Sequence, residues 1–418
     1  MTKRTQDGRI RCFTSEHEQF LKANDPNRET REQFENWIAP KIAEMKANKT
    51  ANTTTVITIP VVVQVISNGD AIGSGENISD AQVLSQINVL NQDFRKLVGS
   101  PGYNTSSVGA DVQLEFCMAQ RKPDGTATTG IDRVTKTAAN YATEAATETM
   151  KASTSWDPTQ YFNIWSLFFS NSASAAMNGV LGYAQFPSTS GLSGLAANGG
   201  AANTDGLVIE YRAFGTSDIV PSLSANAPYD KGRTASHEIG HCLGLIHIWG
   251  DASCGDDYCA DTPTAHTSNF SCPTVANCSG TGNEMVQNYM DYTDDTCMNI
   301  FTLNQKDRIT AVMNNSPRRA SLKTSLACQA PLANNEFEYF ESIKIVPNPV
   351  KDLLNINIGQ LDLPDSFAIY NDLGQIVLSK KVSTIIDMSV NTESYSIGNY
   401  MLVMTKSGAS RAYQFIKQ

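Results

Sequence analysis

The sequence predicts an α+β domain built around one mixed sheet, followed by a small all-β sandwich. Three observations carry this. Between residues 55 and 320, apolar runs of strand character are interleaved with segments of helical period. After Cys328, short alternating runs recur between turn signals. Residues 1–54, by contrast, are highly charged and show little that reads as core. The boundaries that follow are 1–54, 55–333 and 334–418.

The elements are read in chain order. "DPNRETREQFENWIAPKIAEMKANK" has the pattern of an amphipathic helix broken at Pro40. "TTTVITIPVVVQVISNG" is a β-branched run and reads as a buried strand. "SDAQVLSQINVLNQDFRKL" opens with Ser79-Asp80 as a cap and places Val83, Ile87, Leu90 and Phe94 at helical spacing. Strands follow at "VQLEFCMAQ", "FNIWSLFFS", "GYAQFP" and "DGLVIEYRAF". From Asp251 to Asn299 few regular signals appear, and "TLNQKDRITAVMNN" reads as a closing helix. "APLANNE" is a linker. Beyond it, "SIKIV", "LLNINI", "FAIYN", "QIVLSKK", "TIIDMS", "YMLVMT" and "AYQFIK" predict seven short strands.

Composition bounds the function. Hydrophobic residues make up 41%, enough for a packed core. Against 32 Lys and Arg stand 42 Asp and Glu, a net charge of −10 with no basic stripe, which argues against nucleic acid and anionic membrane as partners. No run approaches the length of a transmembrane helix. The start, "MTKRTQDGRIRCF", lacks the apolar stretch of a signal peptide, so a secreted protein would have its signal before this numbering. Five of nine cysteines fall between Cys254 and Cys297, amid Asp, Gly, Ser, Asn and Thr. That clustering reads as disulfides in an oxidising compartment, with a structural zinc cluster as the alternative. An odd count leaves at least one thiol free or otherwise used.

The chemistry concentrates in "TASHEIGHCLGLIHIWG", which holds three of the five histidines. His237 and His241 are four apart, so on a helix they share a face and can reach one zinc ion. Glu238 beside them can act as general base toward the attacking water and then carry its proton to the leaving amine. Gly244 permits the left-handed conformation that ends a helix, and His247 can return as the third ligand. The full spacing, H-E-x-x-H-x-x-G-x-x-H, is rarely accidental. It calls for a methionine turn beneath the metal, and "NYMDYTDDTCM" supplies Met290, with Tyr292 placed to hydrogen-bond a tetrahedral oxyanion.

"GRTASHEIGHCLGLIH", "DDYCADTP", "NYMDYTDD" and "FTLNQKDRI" resemble the pappalysin family of metzincin metalloproteases, its ulilysin-like and mirolysin-like members in particular. The resemblance covers about residues 55–320. It departs at Gln64, where relatives often carry histidine. The resemblance implies calcium in the loop after the third histidine, held by Asp257, Thr262 and the Cys259 carbonyl, with Asp251 a weaker candidate. It implies the pairs Cys254–Cys278 and Cys272–Cys297 and leaves Cys117, Cys242, Cys259 and Cys328 as buried free thiols. "GRIRCFTSE" is similar to propeptide motifs in which a cysteine, here Cys12, takes the open position on the zinc, so that residues 1–54 would be a propeptide. Asp295 matches the position that lines the primed-side pocket and implies cleavage on the amino side of arginine or lysine. "IKIVPNP", "IYNDLGQIV" and "GNYML" resemble the sorting domain of the type IX secretion system, which implies that machinery as a partner and an extracellular location. The expected function is therefore a secreted zinc endopeptidase made as a zymogen and acting on peptide substrates. A surface adhesin using the same scaffold is the alternative.

Overall fold

Eleven residues of mostly β-branched character, Ile57–Ser67, form the central strand β1, and nine of them are buried. The computed structural model describes all residues except 1–3, 6, 26–27, 49–54, 139, 188–200, 332–338, 341, 360–361 and 407. The expected boundaries near 54 and 333 thus fall outside the described residues. The chain forms two compact units, residues 1–331 and 332–418.

In the first unit, β1 pairs in parallel with β2 (Leu114–Met118) through its first half and with β3 (Ile131–Thr135) through its second. On its other side it pairs with β4 (Phe162–Leu167), and the sheet continues through β6 (Gly206–Glu210) to β5 (Gly182–Ala184). Only β5 runs antiparallel, at the free edge. Strands β1, β4 and β6 read as continuous apolar runs because helices cover both faces of a parallel sheet.

Helix α3 (Asp80–Phe94) starts where the Ser79 side chain accepts from the Gln82 amide, and it buries Val83, Ile87, Leu90 and Phe94. Helix α5 (Arg233–Cys242) is buried along its whole length. It packs with α3 on one core that also holds Met290, Tyr292 and Phe301. Helix α6 (Leu303–Asn315) opens with a capping box between Thr302 and Gln305, and the short α7 (Pro317–Leu322) follows it. Helix α4 (Glu144–Ala152), capped by Thr143, and strand β3 carry too little apolar period to be read from sequence.

The amino-terminal segment departs from expectation twice. It is part of the core: Ile10, Cys12, Phe34 and Ile38 are each at most 3% exposed. Its helices are α1 (Thr14–Asn24) and α2 (Arg31–Ala47), and α2 runs unbroken through Pro40. A proline there forfeits one backbone hydrogen bond. The helix persists because Phe34 and Ile38 bury against Ala311 and Val312 of α6, each burial stabilising by roughly 1.5–3 kcal/mol.

The second unit is a two-sheet sandwich. Strands β9 (Ser366–Tyr370), β10 (Ile376–Lys381), β12 (Gly398–Lys406) and β13 (Ala409–Lys417) make one sheet. The other consists of β7 (Lys344–Val346), β8 (Leu353–Asn357) and β11 (Ser389–Asn391). Leu354 and Ile356 meet Phe367, Ile369, Leu402 and Phe415 in its own core. The "TIIDMS" run is mostly a 3-10 turn, Ile385–Met388, held by Thr384 and Asp387, and only its end pairs as β11.

Cys254–Cys278 and Cys272–Cys297 are disulfides, and Cys117 pairs with Cys328. The expectation of free thiols at Cys117 and Cys328 is therefore corrected: 211 residues apart in sequence, they are joined by the fold. Cys12, Cys242 and Cys259 are free and buried.

Candidate active site

Helix α5 presents His237 and His241 on one face, and the turn at Gly244, with φ of +87°, brings back His247. The Nε2 atoms of His237 and His247 each lie 3.1 Å from Nε2 of His241. The far nitrogens are all engaged. His237 Nδ1 lies 2.6 Å from the Tyr289 carbonyl and His241 Nδ1 2.8 Å from the Leu245 carbonyl, while His247 Nδ1 meets the Asp251 carboxylate. Partners of this kind fix the tautomer so that each Nε2 lone pair points inward. Burial pushes His237 well below its ordinary pKa and His241 down to about 3, so both are neutral. Neutral imidazoles with lone pairs converging at this distance repel unless a cation sits between them. The donor set fits zinc.

Met290 lies beneath this centre. A Cβ on Gly240 would strike the Met290 sulfur, so the glycine in "HEIGH" is what lets the methionine turn approach the helix. The Met290 amide is held by Asn288 Oδ1 at 2.9 Å. The Tyr292 ring centroid is 4.9 Å from that of His247, and its hydroxyl is 3.5 Å from the Cys12 carbonyl oxygen.

Residues 10–13 lie along the edge of the sheet. The Ile10 amide donates to Gly179, Leu181 to Ile10, and Phe13 to Gly182, in parallel register. This stretch and Thr14, which follows it, set three side chains across the site. Arg11 is fully buried, its Nη2 2.8 Å from Asp295 Oδ1 and its guanidinium 4.8 Å over the Tyr229 ring. Cys12 Sγ lies within 4.8 Å of ligating nitrogens of all three histidines. Thr14 Oγ1 donates to Glu238 Oε2 at 2.7 Å and accepts from the Ala184 amide. Burial under this segment raises the Glu238 carboxyl to about 8 and the Cys12 thiol well above its usual value.

Sequence reasoning missed Arg11 and Thr14. The available signal was their adjacency to Cys12, joined to the expectation of an arginine pocket at Asp295. Asp295 is 1% exposed, and its second oxygen accepts from the Lys231 and Arg233 amides at the start of α5.

Asp257, Cys259 and Thr262 do come together: Thr262 Oγ1 is 2.7 Å from Asp257 Oδ2 and 2.5 Å from the Cys259 carbonyl. Burial lifts Asp257 to about 7. Asp251 is not in this group. Its carboxylate is taken by His247 on one side and by Arg31 on the other.

Fold and site define a zinc metalloprotease of the metzincin type. The family model described as pregnancy-associated plasma protein-A, peptidase M43, matches residues 145–314, and that of a secretion system C-terminal sorting domain matches residues 344–418. An extracellular metalloprotease of Arthroderma otae is 30% identical over 66% of this chain and 85% of its own length. One of Arthroderma benhamiae is 30% identical over 62% and 78%. Mature mirolysin of Tannerella forsythia, solved with a cleaved peptide, is 35% identical with a TM-score of 0.54, covering 67% of this chain and 99% of that one. A promirolysin mutant of Tannerella forsythia is 33% identical with a TM-score of 0.56, covering 75% and 96%. The chain belongs to the M43 (pappalysin) family of metalloproteases and carries a type IX sorting domain, which makes it an extracellular or cell-surface protein. No helix among the described residues is long and apolar enough to cross a membrane.

Proposed function

We propose that the protein is a latent endopeptidase, silenced by residues 1–54 and, once they are removed, cutting peptide bonds on the amino side of arginine and, less well, lysine. One observation carries the reading: Arg11, Cys12 and Thr14 lie together on Asp295, the three histidines and Glu238.

Zinc held by His237, His241 and His247 would act as a Lewis acid and lower the pKa of a coordinated water. Glu238, freed of Thr14, takes the proton of the attacking water and delivers it to the leaving amine. The Tyr292 hydroxyl, freed of the Cys12 carbonyl, donates to the developing oxyanion. Asp295 receives the substrate guanidinium as it receives Arg11 here. A substrate cut before arginine presents that arginine after the scissile bond. Arg11 comes before Cys12, so the segment runs in the opposite direction and its peptide bonds are not aligned for attack. Cys12, an unfavourable thiolate in this burial, becomes a good ligand once a divalent cation compensates the charge. The match to a pro form among the solved neighbours, wider on this chain than the match to the mature form, is in keeping with such a segment.

The convergence of Asp257, Thr262 and the Cys259 carbonyl favours a calcium ion in that loop, since a buried carboxylate raised toward 7 is one a hard cation would stabilise. The protease reading leaves no need for an adhesin: a binding scaffold requires neither Glu238 nor Tyr292.

The test is hydrolysis of an arginine-containing peptide library by the zinc-loaded full chain before and after limited proteolysis near residue 54. Activity that rises on cutting, new amino termini rich in arginine, and loss of both with chelator are expected. Equal activity before and after cutting would remove the latency reading.

A further inference from the structure

We propose that the face of α6 and the Gly244 turn now covered by α2 is a docking groove for protein substrates, and that its occupant is an amphipathic helix. The helix presents an aromatic side chain, a carboxylate next to it and an aliphatic side chain four residues on. The proposal rests on the reading that the amino-terminal segment leaves on activation.

Helix α2 shows what the groove accepts. Phe34 packs edge-on against Phe186, with ring centroids 4.8 Å apart, and Ile38 lies beside it against Ala311 and Val312. A Cβ on Gly244 would lie 3.1 Å from Phe34 Cζ, so the glycine that turns the zinc motif also forms the floor of the groove. Glu35 binds Arg308 through both oxygens, with Nη1 at 2.7 Å, and Arg308 Nε holds the Gly244 carbonyl at 2.7 Å. At the two ends, Arg31 meets Asp251, and Lys46 lies 3.1 Å from Asp307. Along the groove the protease therefore offers acid, base, acid against base, acid, base on the helix.

Apart from Arg31–Asp251, whose carboxylate also orients His247, none of these contacts serves the chemistry assigned above. Once α2 leaves, Val312 and Phe186 lose their cover, and the Arg308 guanidinium keeps the Gly244 carbonyl while losing the carboxylate that neutralises it. An apolar strip beside a guanidinium left without its carboxylate partner marks a binding surface. Its shape is that of helix-in-groove recognition, read by anchors at i and i+4. The surface also adjoins the reaction centre. One cavity of about 270 Å³, walled on one side by the amino-terminal segment, has Phe186, His241, Ile246 and Asp251 on the side that remains. A substrate helix seated here holds its flanking chain at the histidines, which raises the local concentration of the scissile bond.

The test uses the zinc-loaded protein, processed and freed of its amino-terminal fragment. Its substrates are two chimeras, each a short arginine-containing peptide joined by a flexible linker to a helix with the sequence of residues 31–47. One helix is unaltered, and the other carries Phe34→Ala, Glu35→Lys and Ile38→Ala. The altered groups lie on the substrate, so the fold of the protease is not at stake. The unaltered chimera should be cleaved with a KM lower by at least about tenfold at similar kcat. Excess free 31–47 peptide should abolish the difference while leaving hydrolysis of the short peptide unchanged. An Asp307→Lys protease should lose part of the advantage and regain it with a Lys46→Glu chimera. Equal KM for the two chimeras, or no anisotropy change when labelled 31–47 peptide is titrated with the processed protein, overturns the proposal. Failure of the latency reading is seen separately, as a full chain that cleaves the short peptide as fast as the processed one.

Discussion

Each imidazole of the metal centre is oriented through its far nitrogen, by two carbonyls and one carboxylate. Removing the carboxylate tests the arrangement without touching a ligand: Asp251→Ala should weaken zinc binding by roughly 10–100-fold, measured against a competing chelator. Glu238→Ala should keep zinc, by metal analysis of the purified protein, and lose activity on the order of 10²–10⁴-fold. Near-normal turnover would take Glu238 out of the mechanism. At Asp295, substitution by Asn keeps shape and removes charge, so kcat/KM for an arginine peptide should fall roughly 10–100-fold relative to a neutral one. An unchanged preference would place the specificity elsewhere. His237, His241 and Gly244 were legible because helix geometry converts local spacing directly into convergence. Arg11, Thr14 and the true use of Asp251 were not. Asp295, Glu238 and Arg31 lie more than 200 positions from them, and the near pairing of Asp251 with His247 looks in sequence like an acidic loop.

At the level of elements, strands β1, β4 and β6 were readable because both faces are buried and the apolar run is continuous. Helix α3 was readable because its cap and its apolar face agree. β3 and α4 lie at the margin, half exposed, and carry no such run. Pro40 misled because a local rule was outweighed by a tertiary contact of α2 with α6. The Cys117–Cys328 bond ties β2 to the chain beyond α7, two distant points of the first unit that no spacing rule connects. Cross-linking such distant points acts chiefly on the unfolded chain. Replacing both cysteines by serine should therefore lower stability by about 2–4 kcal/mol in denaturant titrations, with hydrolysis by the folded fraction unchanged. A loss below the error of the titration would mean that the fold already holds these points together.

At the scale of the whole molecule, the described residues form two principal cores, one in each compact unit. The first gathers residues from β1, α3, α5 and the methionine turn, and the second draws only on residues 340–415. A compact unit that encloses its own core can unfold as its own cooperative transition. Calorimetry of the full chain should thus show two transitions, and a chain ending at residue 331 should keep only one. The two can be told apart by metal. All the candidate zinc and calcium ligands, Cys12 and those between His237 and Thr262, lie in the first unit. A ligand that binds only the folded state stabilises it by RT ln(1 + [L]/Kd), about 2.7 kcal/mol at a concentration a hundred times Kd. EDTA should therefore move the first transition to lower temperature and leave the second where it was. Zinc alone should then restore part of the shift, and calcium, added with zinc, the remainder. If zinc restores the whole shift, the loop at Asp257 holds no calcium. If EDTA moves the transition that truncation at residue 331 removes, the metal sites are not confined to the first unit.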